Sequence, residues 1–138
     1  MYTRILVAIE NSPADRTILD HVRQLAALTN AEILLVHVAD GWAARHFNDL
    51  KLRESDEIKA DRAYLEQLAG SLPGLRVSTE LAMGDPANEL IRLVEERQAD
   101  LLAMSTHGHR GLNDLLRGTT VSKVRHMVKV PVLLLRAQ

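Results

Sequence analysis

The chain has 138 residues, enough for one domain over 1–138 and too few for two comfortable cores. Its 17 basic and 18 acidic side chains leave a formal net charge of −1, which argues against the broad basic face that a nucleic-acid partner needs. Cysteine is absent, which excludes disulfides and thiolate metal sites, and aromatics are only 3%, so a core must come from Leu, Val, Ile and Ala. No apolar run approaches the ~20 residues of a membrane span. Residues 1–5 lack the charged region and long apolar run of a signal peptide. A cytoplasmic domain with no membrane partner is the expectation.

The first run, residues 5–9, is continuously apolar, as suits a strand covered on both faces. Ser12-Pro13-Ala14-Asp15 then reads as a helix start. Ser12 can cap, Pro13 fits the first helical position and Asp15 can close a capping box. Ile18, Val22, Leu25 and Ala26 recur at helical spacing, and Asn30 ends that helix. Residues 33–38 form a second strand containing His37, which reads as a buried, hydrogen-bonded histidine. Residues 41–52 show no clear period and read as a loop or loose helix. A helix over 55–72 places Ile58, Leu65, Leu68, Ala69 and Leu72 on one face, and Pro73-Gly74 ends it.

Residues 76–81 alternate and predict a more exposed strand, at an edge. Asp85 caps the next helix, with Leu90, Ile91 and Val94 inward. Residues 101–104 give a fourth strand, 105–118 a loop, 119–128 a last helix and 131–135 a fifth strand. Met83 and Met104 read as core or pocket lining. Strands and helices alternate strictly, which predicts an α/β fold: an open, doubly wound, five-stranded parallel sheet with helices on both faces, Rossmann-like.

In such a sheet ligands bind beyond the carboxyl ends of the strands, where strand order reverses. The segment after the fourth strand is the richest of the chain, with Ser105, Thr106, His107, Gly108, Arg110 and Gly111 leading to Gly118-Thr119-Thr120. Glycine lets backbone approach an anion, and the N–H groups of a helix start attract negative charge. This is the chemistry of a phosphate cradle. It is neither a Walker loop nor a dinucleotide fingerprint, since neither spacing occurs. His107 and His109 lack further ligands nearby in sequence, so no metal site is expected.

The same segment resembles the nucleotide motif of the universal stress protein family, Gly-x2-Gly-x9-Gly-Ser/Thr. Gly108 stands at the second glycine, residues 109–117 are the nine spacers and Gly118-Thr119 follow, whereas Ser105 occupies the first glycine position. The resemblance extends along nearly the whole chain, through Glu10 after the first strand, His37-Val38, Gly84-x-Pro86 and the closing Pro-Val-Leu-Leu-Leu. It implies the adenine nucleotide alpha hydrolase-like version of the fold and an ATP or related adenine-nucleotide ligand, with or without Mg2+. It places Ala8, Ile9, Glu10 and Val38 at the adenosine, with Glu10 where the family usually has aspartate. Met104, Ser105, His107 and Gly108 would meet the ribose and first phosphates, and Gly118, Thr119, Thr120 and Val121 the remaining phosphates. It also implies a homodimer through the last strand, by Val132, Leu133, Leu134 and Leu135.

Three functions compete: a stress-response sensor or signalling module that binds nucleotide, a slow ATPase, and a dimeric interaction protein that binds none. Hydrolysis would need metal and a water-orienting group. Arg110 and His109 are candidates for charge stabilisation, and Asp85 or Asp40 for metal. A phospho-receiver domain is excluded, because the acidic pair after the first strand is missing and Lys129 and Pro131 precede the fifth strand.

Overall fold

A computed structural model of the chain describes residues 1–40, 51–106 and 118–136. Among these, strands and helices alternate as β1 (Arg4–Ile9), α1 (Ala14–Thr29), β2 (Glu32–Asp40), α2 (Lys51–Gly70), β3 (Val77–Gly84), α3 (Pro86–Glu96), β4 (Leu101–Thr106), α4 (Gly118–Met127) and β5 (Val132–Arg136). The five strands form one parallel sheet in the order β3-β2-β1-β4-β5. The expected open, doubly wound α/β architecture is what the chain adopts.

The reason lies in the central strands. All of β1 after Arg4 is buried, and so is all of β4 before Thr106. Alternate side chains leave a strand on opposite faces, so both faces need cover. Leu6, Ala8, Leu34, Val36, Leu102 and Met104 pack with Leu90, Leu93 and Val94 of α3 and Val124 of α4. Ile5, Val7, Ile33, Leu35 and Ala103 pack on the other face with Ile18 and Val22 of α1 and Leu65 of α2. Each fully buried Leu or Ile contributes about 1.5–3 kcal/mol.

Local signals set the helix ends. Asn30, at φ 59°, donates its N–H to Ala26 and stops α1. Asp85 accepts the Asn88 N–H at 2.9 Å, and Pro86 opens α3. Leu93 is fully buried in α3 beside Leu90 and Val94, whereas Ile91 is only half-buried. The helix α2 begins four residues before the expected start at 55, because Lys51-Leu52-Arg53-Glu54 are strong helix formers. The rest of the 41–52 stretch, residues 41–50, lies outside the described residues. β3 is an edge strand, as expected, and runs on to Gly84. That position leaves Met83 exposed, so it is not a core residue. No helix among the described residues is long and apolar enough to cross a membrane.

Asp100 ties the two central strands together at their amino ends. Its Oδ2 accepts the Thr3 N–H at 2.8 Å and the Thr3 hydroxyl at 2.9 Å, and its Oδ1 accepts the Arg4 N–H at 3.0 Å. Burial opposes ionisation of this carboxyl, but the bonds from Thr3 and Arg4 outweigh it and hold the pKa below the ordinary value. A depressed carboxyl stabilises the fold above its unfolded pKa, and that stability fades as pH falls through the folded pKa. Asp100→Ala should therefore cost about 1–2 kcal/mol in urea unfolding at neutral pH. The difference from the parent chain should shrink below about pH 4.

Candidate functional site

Strand order reverses between β1 and β4. The chain winds outward from β1 through β2 to β3, then crosses back over the sheet to β4 and β5. Pairing between β1 and β4 stops at Val7↔Ala103. On the outer flanks it continues, to Ile9↔His37 between β1 and β2 and to Thr106↔Arg136 between β4 and β5. The sheet thus divides at its carboxyl edge, with Ala8, Ile9 and Glu10 on one lip and Met104, Ser105 and Thr106 on the other. A crevice at this point is where open α/β sheets take ligands.

The first lip is held by a buried carboxylate. Asn11 adopts the left-handed conformation, φ 67°, which asparagine tolerates better than most residues. The resulting turn points successive N–H groups to one place, a backbone nest of the kind that binds anions. Asp15, 1% exposed, fills it. Its Oδ1 accepts the Glu10 N–H at 2.9 Å, and its Oδ2 accepts those of Asn11 at 2.9 Å and Ser12 at 3.1 Å. The Tyr64 hydroxyl donates to Oδ2 at 2.7 Å. Ser12 caps α1 by accepting the Ala14 N–H at 3.2 Å, and donates its hydroxyl to Glu10 Oε2 at 2.9 Å. Glu10 itself is 8% exposed.

His37, buried as its sequence context implies, supports the same lip. Its Nδ1 donates to the Ile9 carbonyl at 2.8 Å, and its Nε2 lies 3.6 Å from Asp61 Oδ2. Asp61 also accepts from the Asn11 side-chain amide at 3.2 Å.

On the second lip Met104 is fully buried in the core, so only its backbone is available there. Ser105 is 1% exposed and its hydroxyl makes a long bond, 3.4 Å, to the Ala14 carbonyl. The side chain that replaces the motif's glycine is thus directed at the start of α1. Ala8 and Val38 lie in one core cluster and Ile9 in the other, and Val121 packs against the cluster holding Ala8 and Met104. Thr119 is exposed and Thr120 half-buried in the first turn of α4. His107 and Gly108 lie outside the described residues, as do His109, Arg110 and Gly111.

The helix starts differ in charge. Asp15 occupies the first turn of α1, and α3 has Asp85 as its cap and Glu89 in its first turn. The first turn of α4, Gly118-Thr119-Thr120, contains no acidic residue. Since α4 leads from the carboxyl end of β4 back to the start of β5, this start belongs to the same sheet edge as the crevice. Its amide dipoles attract an anion, and no carboxylate of its own first turn opposes them.

Sequence reasoning missed the roles of Asp15, Tyr64 and Asp61. The capping-box signal at Asp15 was correct for the Ser12 N–H, but its reach to Glu10 and Asn11 depends on the left-handed Asn11. Behind this turn a groove of about 980 Å³ runs between α1 and α2, lined by Tyr64, the buried Leu19 and Leu72 and the exposed Arg16 and Arg23 among others.

Comparison with known proteins gives concordant matches. The profile of the Universal stress protein family matches residues 1–136. Universal stress protein A homolog 1 of Coxiella burnetii is 30% identical, over 96% of this chain and 94% of its own length. The solved structure of MJ0577, a universal stress protein of Methanocaldococcus jannaschii, superposes with a TM-score of 0.78 at 26% identity, covering 100% of this chain and 98% of that one. The universal stress protein from Archaeoglobus fulgidus in complex with dAMP superposes with a TM-score of 0.69 at 18% identity, covering 96% of this chain and 97% of that one.

Removing the Asp15 carboxylate leaves its three backbone donors without their acceptor. Asp15→Ala should destabilise the chain by on the order of 3 kcal/mol in urea unfolding. Burial, followed by the bond to Asp15 and its charge, pushes the Tyr64 phenol above the ordinary tyrosine range. Such a raised pKa stabilises the fold below the unfolded value of about 10 and is lost as pH rises through the folded value. In Asp15→Asn, ultraviolet titration should show Tyr64 ionising at lower pH than in the parent chain.

Proposed function

The chain belongs to the universal stress protein family, and on that premise we propose that it is a single-domain module that binds an adenine nucleotide in the crevice between β1 and β4 and acts as a stress-response sensor. The observation that carries this reading is the coincidence, at one sheet edge, of the strand-order reversal with a helix start free of first-turn carboxylates. The fold neighbour in complex with dAMP supports an adenine nucleotide as the ligand class.

In this reading Ala8, Ile9 and Val38 present backbone to the adenosine end, since their side chains are committed to the core. Glu10 offers a carboxylate to ribose or adenine. Met104 and Ser105 likewise contribute backbone, and the family motif assigns His107 and Gly108 to the ribose and first phosphates. The amides of Gly118, Thr119, Thr120 and Val121, with two hydroxyls, take the terminal phosphates of ATP. Any Mg2+ would travel with those phosphates. Asp85, a candidate to hold it, has one carboxylate oxygen engaged by the Asn88 N–H.

The protein acts as a homodimer in this reading. Among the described residues β5 pairs with β4 alone, and its Val132, Leu133, Leu134 and Leu135 are half-buried. An apolar edge strand invites pairing with its own copy.

Titration calorimetry with ATP and AMP on nucleotide-stripped protein tests the ligand. Saturable binding is expected, and Gly118→Asp should abolish it without loss of stability, because an aspartate suits a helix start but repels phosphate. A parent chain indifferent to millimolar ATP and AMP would overturn the nucleotide reading. Sedimentation tests the dimer: Leu134→Lys should convert it to a monomer, and a monomeric parent chain would sink the interface.

A further inference from the structure

The turn after β1 carries more polar support than a helix start requires. At the start of α1 the Ser12 hydroxyl accepts the Ala14 N–H, and one Asp15 oxygen accepting the Ser12 N–H would complete a capping box. Asp15 is nevertheless buried, its two oxygens shared among the amides of residues 10–12 and the Tyr64 hydroxyl. Tyr64 belongs to α2, one helical turn beyond Asp61 and so on the same face. Asp61 holds the Asn11 side chain and faces His37, which grips the Ile9 carbonyl. The whole stretch from Ile9 to Ser12 is therefore fastened to α2, directly or through one intermediary.

The chain of contacts ends at the crevice. Tyr64 holds Asp15, Asp15 holds the amides of Glu10 and Ser12, and the Ser12 hydroxyl holds Glu10 Oε2. We propose that Asp15 and Tyr64 are positioning residues for the ligand crevice, and that the docking of α2, transmitted by the Tyr64 hydroxyl, sets the placement of Glu10 and hence the affinity for nucleotide. The inference rests on the nucleotide reading of the crevice. A partner or segment that shifts α2 then changes affinity without touching the ligand, and by linkage the bound ligand holds α2 in place.

The carboxylate's three amide donors do not involve Tyr64. Tyr64→Phe therefore keeps the turn's own hydrogen bonds and the contacts of Asp61, and removes only the Tyr64 link to α2, which makes it the informative substitution. ATP affinity is measured by calorimetry for the parent chain, Tyr64→Phe, Glu10→Gln and the double variant. Tyr64→Phe should weaken binding about fivefold in the parent background and less than about twofold in the Glu10→Gln background, because its effect passes through Glu10. The same loss in both backgrounds, or no loss, overturns the inference, since a merely structural role is indifferent to Glu10.

Amide exchange in the unliganded protein provides the second arm. Tyr64→Phe should speed exchange at Asn11 and Ser12 by about tenfold and leave the β4 amides unchanged. Unchanged exchange at Asn11 and Ser12 overturns the positioning role whatever the ligand. A parent chain that binds neither ATP nor AMP overturns the nucleotide reading and the affinity claim together, and the exchange arm still decides whether Tyr64 orders the turn.

Discussion

Burial of both faces of the central strands is the constraint from which the architecture follows. β1 and β4 carry apolar side chains in both directions, so helices must lie above and below the sheet. Right-handed crossovers place α1 and α2 on one face while the sheet grows from β1 to β3. Covering the other face requires the chain to return past β1 and continue with β4. The reversal, and the divided sheet edge it produces, is thus a result of covering the core. The candidate crevice needs no separate cause.

At that edge the charges sort the two lips. The turn after β1 has the geometry of an anion site, but Asp15 already occupies it. The start of α3 is likewise neutralised by Asp85 and Glu89. The start of α4 carries no such first-turn carboxylate. The acid-free helix start thus lies on the β4 side of the edge, and the buried apolar residues Ala8, Ile9 and Val38 lie on the β1 side. Ser105 fits this division, because its hydroxyl is directed at the Ala14 carbonyl and adds bulk on the α1 side.

The strands were legible because a strand buried on both faces is an unbroken apolar run, as residues 5–9 and 101–104 are. The helix starts were legible where short polar residues precede proline, at Ser12-Pro13 and Asp85-Pro86. The motif around Gly108 and Gly118 follows β4, one of the two strands between which the order reverses. The support of the β1 turn was not legible. Tyr64 lies 49 residues from Asp15, and His37 lies 28 from Ile9. Nothing local marks either partnership, and the convergence of the amides on Asp15 requires a left-handed Asn11 that an asparagine permits but does not announce. The exposure of Met83 was not legible for the converse reason, since an apolar residue on an edge strand carries no sign that cover is missing.

The carboxylate in the β1 nest is also a tethered solute. An anion held within the same turn competes with free chloride or phosphate at an effective concentration far above any that a cell or a buffer supplies. That turn is consequently insulated from the ionic composition of its surroundings. The first turn of α4 contains no acidic residue and so carries no tethered competitor of this kind. One sheet edge thus pairs a nest filled from within its own turn with a helix start that has no first-turn carboxylate.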